Sequence, residues 1–266
     1  MLKTLLTRMK FGNRTVGFPN DLPLLPERYL GRPVIGPQPC VEGCRECVEV
    51  CPTTAITVVD NHPVLDLGRC IFCAECVKSC PSGTVQFSRD HAMSANERPN
   101  LLIRHNAEKA LVKELNRETL RLFKRSLRLR QVSAGGCNGC EVEVNVLGTI
   151  VYDLGRFGIQ FVASPRHADG LLVTGPVTEN MQLALRKTYE AVPDPKIVIA
   201  VGACAIAGGP YIDHPQVHNG AASTVPVDLF IPGCPPHPIT ILDGMLRLLG
   251  KLSEQRSSNG PSLSGQ

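Results

Sequence analysis

The cysteines are the residues whose type and spacing point to chemistry, twelve of them in 266 residues. Cys70, Cys73, Cys76 and Cys80 stand as Cys-x2-Cys-x2-Cys-x3-Cys-Pro. In this spacing three thiolates wrap one corner of a four-iron cubane and the fourth reaches a neighbouring cluster. Cys40, Cys44, Cys47 and Cys51 repeat the run with one extra residue between the first two cysteines, again closing on a proline. One added residue can bulge without carrying its thiolate away, so this run fits a second [4Fe-4S] cluster, with a three-iron or labile centre as its rival. The cross-over rule assigns Cys40, Cys44, Cys47 and Cys80 to one cluster and Cys70, Cys73, Cys76 and Cys51 to the other. Zinc also takes closely spaced thiolates. Two runs of four, each ending in Cys-Pro, favour iron and sulfur over it.

The other four cysteines lie on separate loops. Cys137 and Cys140 share the glycine-rich turn Gly135-Gly136-Cys137-Asn138-Gly139-Cys140, where backbone N–H groups can approach cluster sulfurs. Cys204 sits in Gly-Ala-Cys-Ala-Ile-Ala-Gly-Gly and Cys234 in Pro-Gly-Cys-Pro-Pro. The three pieces can form one four-thiolate site, and on spacing alone a structural zinc fits them as well as a cluster.

The elements that must position these residues can be read around them. Segments 55–59 and 84–87, each just after a Cys-Pro, read as paired strands of a pseudo-symmetric ferredoxin-like unit. Further on, 170–174, 196–201 and 227–231 read as short buried strands, and 144–154, 179–191 and a segment opening at Pro238 as helices. Strands alternating with helices imply an open parallel sheet, whose ligands sit beyond the carboxyl ends of its strands. Cys204 and Cys234 each fall three residues past a predicted strand. Residues 108–130 contain no Gly or Pro, and the spacing of Leu111, Leu115, Leu122 and Leu127 predicts an amphipathic helix with a basic end, suited to a solvated flank or an anionic surface. The expected organisation is an extended proline-rich arm (1–33), a two-cluster ferredoxin-like domain of α+β type (34–95), a helical basic linker (96–130), an α/β flavodoxin-like iron-sulfur domain (131–250) and a disordered tail (251–266).

Composition narrows the function classes. With 28 Lys+Arg against 24 Asp+Glu, the formal charge of +4 is weak for a nucleic-acid binder, and none is expected as partner. The opening residues never reach the apolar run of a secretory signal. The longest uncharged stretch, 197–212, is interrupted by glycines and a proline and falls short of the roughly 18 apolar residues of a spanning helix. A cytoplasmic location follows as the expectation, and there thiols are metal ligands more often than disulfides. Neither a GxGxxG element nor a Walker loop is present, so the reading is one of electron conduction rather than hydride or phosphoryl transfer.

Residues 131–250 resemble the small, electron-transferring subunit of [NiFe]-hydrogenases, above all the energy-converting membrane-bound group that includes formate hydrogenlyase, and its homologue, the 20 kDa subunit of respiratory complex I. The resemblance rests on CNGC at 137–140, Tyr152-Asp153-x2-Arg156-Phe157-Gly158, Ser164-Pro165-Arg166-His167-Ala168-Asp169, Leu172-Val173-Thr174-Gly175-Pro176, GACAIAGG at 202–209 and PGCPP at 232–236. It implies that Cys137, Cys140, Cys204 and Cys234 bind a proximal [4Fe-4S] cluster beside the active site of a large subunit, for three [4Fe-4S] clusters in all. Complex I subunits of this type have adjacent cysteines at the first position, whereas Cys137-x2-Cys140 is the hydrogenase arrangement. The chain is thus expected to be a wire, peripheral to the cytoplasmic face of the membrane through other iron-sulfur and membrane subunits, and facing a homologue of the complex I 49 kDa subunit. A complex I-like or nickel-free formate-oxidising assembly is the alternative. Glu141 and Glu143 are candidate proton-relay residues by the same comparison, against the plainer reading of helix-start carboxylates. Arg156, Phe157, Arg166 and His167 are candidates for the face toward the large subunit or for packing, and His237 for a hydrogen bond near the Cys234 sulfur.

Overall fold

The computed structural model describes residues 2–12, 14–21 and 25–252. The expected disordered tail, Lys251 and Leu252 apart, lies outside the described residues. A helix α1 (Leu2–Phe11) opens the chain, in place of an arm extended throughout. The first proline of the sequence is Pro19, so every residue of α1 keeps its N–H for the helix.

Next comes the ferredoxin-like unit, with β1 (Pro33–Ile35), α2 (Glu46–Glu49), β2 (Ile56–Val59), β3 (His62–Asp66), α3 (Glu75–Lys78) and β4 (Val85–Phe87). The two segments that follow the Cys-Pro pairs are both strands, but they do not pair with each other. β4 pairs antiparallel with β1, and β2 forms a hairpin with β3. Pseudo-symmetry survives in the detail. Thr54 and Gly83, each three residues past the last cysteine of its run, both take positive φ, and the amides that follow, Ala55 and Val85, donate back to the thiols of Cys51 and Cys80. The unit also reaches beyond residue 95, because β5 (Leu102–Ile103) adds to β3.

Residues 108–130 are not one helix. Only α4 (Arg117–Phe123) is helical, started by Asn116, whose side chain accepts the Thr119 N–H at 2.9 Å. The leucines beyond it belong to β6 (Leu127–Ser133), where period-two alternation buries Leu127 and Leu129 on one face. β6 is flanked on both sides, by β7 (Ile159–Phe161) and by β8 (Gly170–Thr174), and β9 (Ile197–Val201) and β10 (Leu229–Ile231) complete a five-stranded sheet in the order β10-β9-β8-β6-β7, parallel throughout. Its helices are α5 (Gly139–Val146), α6 (Glu179–Ala191), α7 (Ala203–Ala207) and α8 (Pro238–Leu248). The helix expected at 144–154 instead begins directly on the cysteine turn and ends at Val146, and 147–152 form turns.

Alternate residues of the sheet serve two cores. Leu172, Ile199, Val201 and Ile231 pack with α8, all eleven of whose residues are buried. Val173, Val198, Ala200 and Phe230 share a core with Leu65, Leu67, Cys70 and Cys76 of the ferredoxin-like unit. The two units are further joined by backbone bonds in both directions between Ala95 and Phe230, at 3.0 and 2.8 Å. They meet through apolar burial, the largest favourable contribution to such a contact.

Candidate iron-sulfur sites

All three cysteine-bearing pieces of the α/β domain lie beyond the carboxyl ends of strands. The turn with Cys137 and Cys140 follows β6, Cys204 follows β9 and Cys234 follows β10. β6 is also where strand order reverses, since the chain passes from it to β7 on one side and then to β8 on the other. The crevice at such a switch point is where open parallel sheets hold their ligands.

Glu141 spans this crevice. Its Oε1 accepts the Ser133 and Thr174 hydroxyls, both at 2.6 Å. Those two residues end β6 and β8 and are register partners. The buried carboxylate therefore ties the first turn of α5, and with it the cysteine turn, to both strands. Ser133 escaped the sequence reading, which places Thr174 only in a strand and a motif, not as a partner of Glu141. The signal available was a hydroxyl at the last position of each strand, after the apolar run 170–173 in β8 and after the alternating β6. Glu143, two residues on, is half-buried, and burial raises its pKa above the ordinary carboxylate range.

The thiols form three mutually interacting groups. Burial pushes the Cys47 thiol up to about 11, reinforced by Cys40, Cys80 and Cys44. It pushes Cys70 up to about 12, with Cys76, Cys51 and Cys73 adding to the shift and the Phe72 N–H opposing it. Cys76 rises to about 11 by burial and then by Cys73, Cys51 and Cys47, so these two groups adjoin. In the α/β domain burial lifts Cys140, with Cys204, Glu141, Cys234 and Cys137 contributing, and it takes Cys204 to about 12. Bare thiols in such surroundings are protonated at neutral pH, so metal insertion displaces their protons.

Cys80 differs: burial raises its pKa, but donors from Val85, Ser82 and Thr84 outweigh that and the net shift is downward. Cys51 accepts the Ala55 N–H at 3.2 Å in the equivalent turn. Amide-to-sulfur hydrogen bonds of this kind stabilise a negatively charged cluster. An apolar cavity is lined by Cys51, Cys70, Cys73 and Cys76 together with Ile56 and Leu65. Two glycines fit the surroundings of the third group. A Cβ on Gly202, at φ +92, would lie 2.5 Å from Cys140 Sγ, and one on Gly209, at φ +55, would lie 2.7 Å from Cys204 Sγ. Among the described residues no three His, Cys, Asp or Glu side chains converge as ligands of a single ion do.

The other candidates have local partners. Arg156 donates to the Val16 and Phe18 carbonyls at 2.8 Å and so pins the segment that follows α1, with its guanidinium over the Phe157 ring. Arg166 and His167 sit on a short turn, neither of them buried. His237 caps α8, its Nδ1 accepting the Ile239 N–H at 3.2 Å, which leaves the proton on Nε2. Tyr29 meets it edge-on and reaches the Thr240 hydroxyl at 3.3 Å, and burial raises the phenol to about 12.

Grouped thiols on a ferredoxin-like unit and at the switch point of a parallel sheet define an iron-sulfur electron-transfer subunit, one that works within an oxidoreductase complex rather than alone. Comparison with known proteins makes this particular. The family described as NADH ubiquinone oxidoreductase, 20 Kd subunit, matches residues 137–248, and the 4Fe-4S dicluster domain family matches 39–84. The chain is 40% identical over 162 residues to the "Probable membrane-bound hydrogenase subunit mbhJ" of Pyrococcus furiosus, covering 61% of this chain and 97% of that one. It is 45% identical to formate hydrogenlyase subunit 7 of Escherichia coli over 142 residues, 53% of this chain and 56% of that protein. With an NADH-quinone oxidoreductase subunit of Citrifermentans bemidjiense it shares 44% over 124 residues, 47% of this chain and 72% of that one. The chain belongs to this family of small iron-sulfur subunits, shared by hydrogenases, formate hydrogenlyase and complex I, and carries a 4Fe-4S dicluster domain in front of it. Family membership implies that its cysteines bind iron-sulfur clusters. No helix among the described residues is long and apolar enough to cross a membrane.

Proposed function

We propose that the chain holds three [4Fe-4S] clusters and serves a large catalytic subunit of the hydrogenase and formate hydrogenlyase type, homologous to the complex I 49 kDa subunit. When bound, the clusters supply one-electron transfer. Cys40, Cys44, Cys47 and Cys80 hold the outermost, Cys51, Cys70, Cys73 and Cys76 the middle one, and Cys137, Cys140, Cys204 and Cys234 the one nearest the large subunit. Their order is supported by Gly68, two residues before Cys70, which lies so close to Ile206, two residues past Cys204, that a Cβ there would be 2.7 Å from its side chain. The protein's own part is to bury the thiols, exclude water from them and aim amide donors at the sulfurs of Cys51, Cys70 and Cys80.

The observation that carries the hydrogenase reading is the two-residue spacing between Cys137 and Cys140, held by α5 and Glu141, because identity to the hydrogenase and quinone-reductase relatives is nearly equal. The test is metal stoichiometry. The isolated chain should carry about twelve irons, from three four-iron sites. The complex purified anaerobically through a tag on this chain should contain nickel in equal amount to the chain. Full iron without nickel would shift the assignment to a complex I-like or nickel-free formate-oxidising assembly.

A further inference from the structure

No residue of α1 is buried. Leu2, Leu5, Leu6 and Met9 follow the spacing that puts them on one helical face, and they are 73%, 61%, 53% and 75% exposed. A globular protein leaves such a stripe open only where something else covers it. The charge around it says what. Lys3 and Lys10 border the stripe on one side and Arg8 on the other, Arg14 follows, and the first acidic residue of the sequence is Asp21.

The root of this segment is firmly held. Val16 N–H donates to the Val151 carbonyl at 2.8 Å and the Thr15 hydroxyl to the Ile150 carbonyl at 2.9 Å. Ile150 itself is 76% exposed, which adds an apolar tip beside that root. Arg156 clamps the same stretch, and next to it in sequence the Phe157 carbonyl accepts a hydrogen bond from the ammonium of Lys251, which lies within electrostatic range of Lys124. Apolar and cationic groups are thus gathered where α1 leaves the domain.

We propose that α1 is a membrane-surface anchor, lying in the plane of an anionic bilayer with Leu2, Leu5, Leu6 and Met9 among the acyl chains and Lys3, Arg8, Lys10 and Arg14 on the lipid phosphates. A hydrophobic groove on a protein needs only the stripe. A continuous sheet of negative charge also accounts for four cations without one carboxylate. The anchor is independent of whether the large subunit holds nickel.

The full chain with its iron is floated with vesicles of phosphatidylcholine plus phosphatidylglycerol, and with vesicles of phosphatidylcholine alone. Binding should favour the anionic vesicles. The double variant Leu5→Asp/Met9→Asp should lose at least tenfold in partitioning, about the loss expected from removing two apolar anchors. Lys3→Gln/Arg8→Gln/Lys10→Gln should lose about fivefold per cation removed, and added salt should likewise weaken binding of the parent. Iron content, unchanged in all variants, shows that each is folded. Equal binding to neutral and anionic vesicles would overturn the proposal, and so would variants that bind as the parent does. Variants that bind vesicles normally yet shed partner subunits from the purified complex would show instead that α1 docks on protein.

Discussion

Replacing Glu141 separates two roles for the carboxylate beside Cys140. As a positioning residue it accepts two hydroxyl hydrogen bonds at 2.6 Å while only 6% exposed. Bonds to a charged acceptor contribute about 1.5 to 3 kcal/mol each. Glu141→Ala removes both, leaves the buried Thr174 hydroxyl only the Val132 carbonyl at 3.4 Å and opens a void, while the exposed Ser133 hydroxyl turns to water. The expected loss is about 3 to 5 kcal/mol. Glu141→Gln keeps an oxygen where Oε1 stands and should lose only about 1 kcal/mol. Urea unfolding of the iron-loaded chain, followed by circular dichroism with iron released as a second readout, gives both values. Glu141→Ala should also lose the third cluster first, since the Cys137-Cys140 turn is tied to β6 and β8 through this side chain. If Glu141→Ala unfolds within about 1 kcal/mol of the parent, or if Ala and Gln cost the same, the positioning argument is wrong. A Gln variant of full stability whose complex no longer turns over would instead favour the proton-relay role.

Three further outcomes follow from the geometry. If the chain holds the three clusters proposed, Gly202→Ala should remove about four of the twelve irons and leave the ferredoxin-like clusters spectroscopically intact, because the new Cβ would meet Cys140 Sγ at 2.5 Å on a left-handed backbone; full iron in this variant would refute it. Arg98→Ala should destabilise the chain by about 1 to 3 kcal/mol in urea and speed oxygen bleaching of the cluster at Cys70, since Arg98 grips Asp66 at 2.7 and 2.6 Å while Asp66 accepts the Gly68 N–H at 2.8 Å. Acidification should weaken the fold through His91. Burial holds this imidazole below its usual range, and its nearest carboxylate, Asp243, is 3.8 Å away and engaged by Arg247 at 2.9 Å. The unfolded chain takes up the proton near pH 6.5, about the ordinary histidine value, whereas the folded chain does so only at lower pH, so stability is lost as pH falls below that value. The urea midpoint should drop between about pH 7.5 and about pH 5.5, and His91→Gln should flatten the drop.

Where side-chain chemistry repeats at short range, it could be read without the fold. The two Cys-Pro runs announced themselves as ligand runs because three of the four thiols of each proposed set lie within a few residues of each other, the fourth coming from the other run. β8, β9 and α6 were legible because each is a local pattern, an unbroken apolar run or an uninterrupted stretch of helix formers, and observed and expected bounds agree to within a residue. β6 was not. Leu127 continues the helical spacing of Leu115 and Leu122 and equally the period-two spacing with Leu129, and what made it part of a strand was the pairing of β6 with β7 and β8, far along the chain. α1 was lost to the prolines that come after it.

The sequence by itself determined which atoms can ligate iron, because thiol identity and local spacing are properties of the chain. Only the tertiary structure decided which thiols meet and what holds them. Cys137, Cys204 and Cys234 share a site because three parallel strands end on one side of a sheet. Glu141 became a brace because Ser133 and Thr174 are opposite one another in register, and His91 faces Asp243 because the two units bury a common surface. Such contacts join residues separated by tens of positions, and no local spacing encodes a distance that chain topology creates.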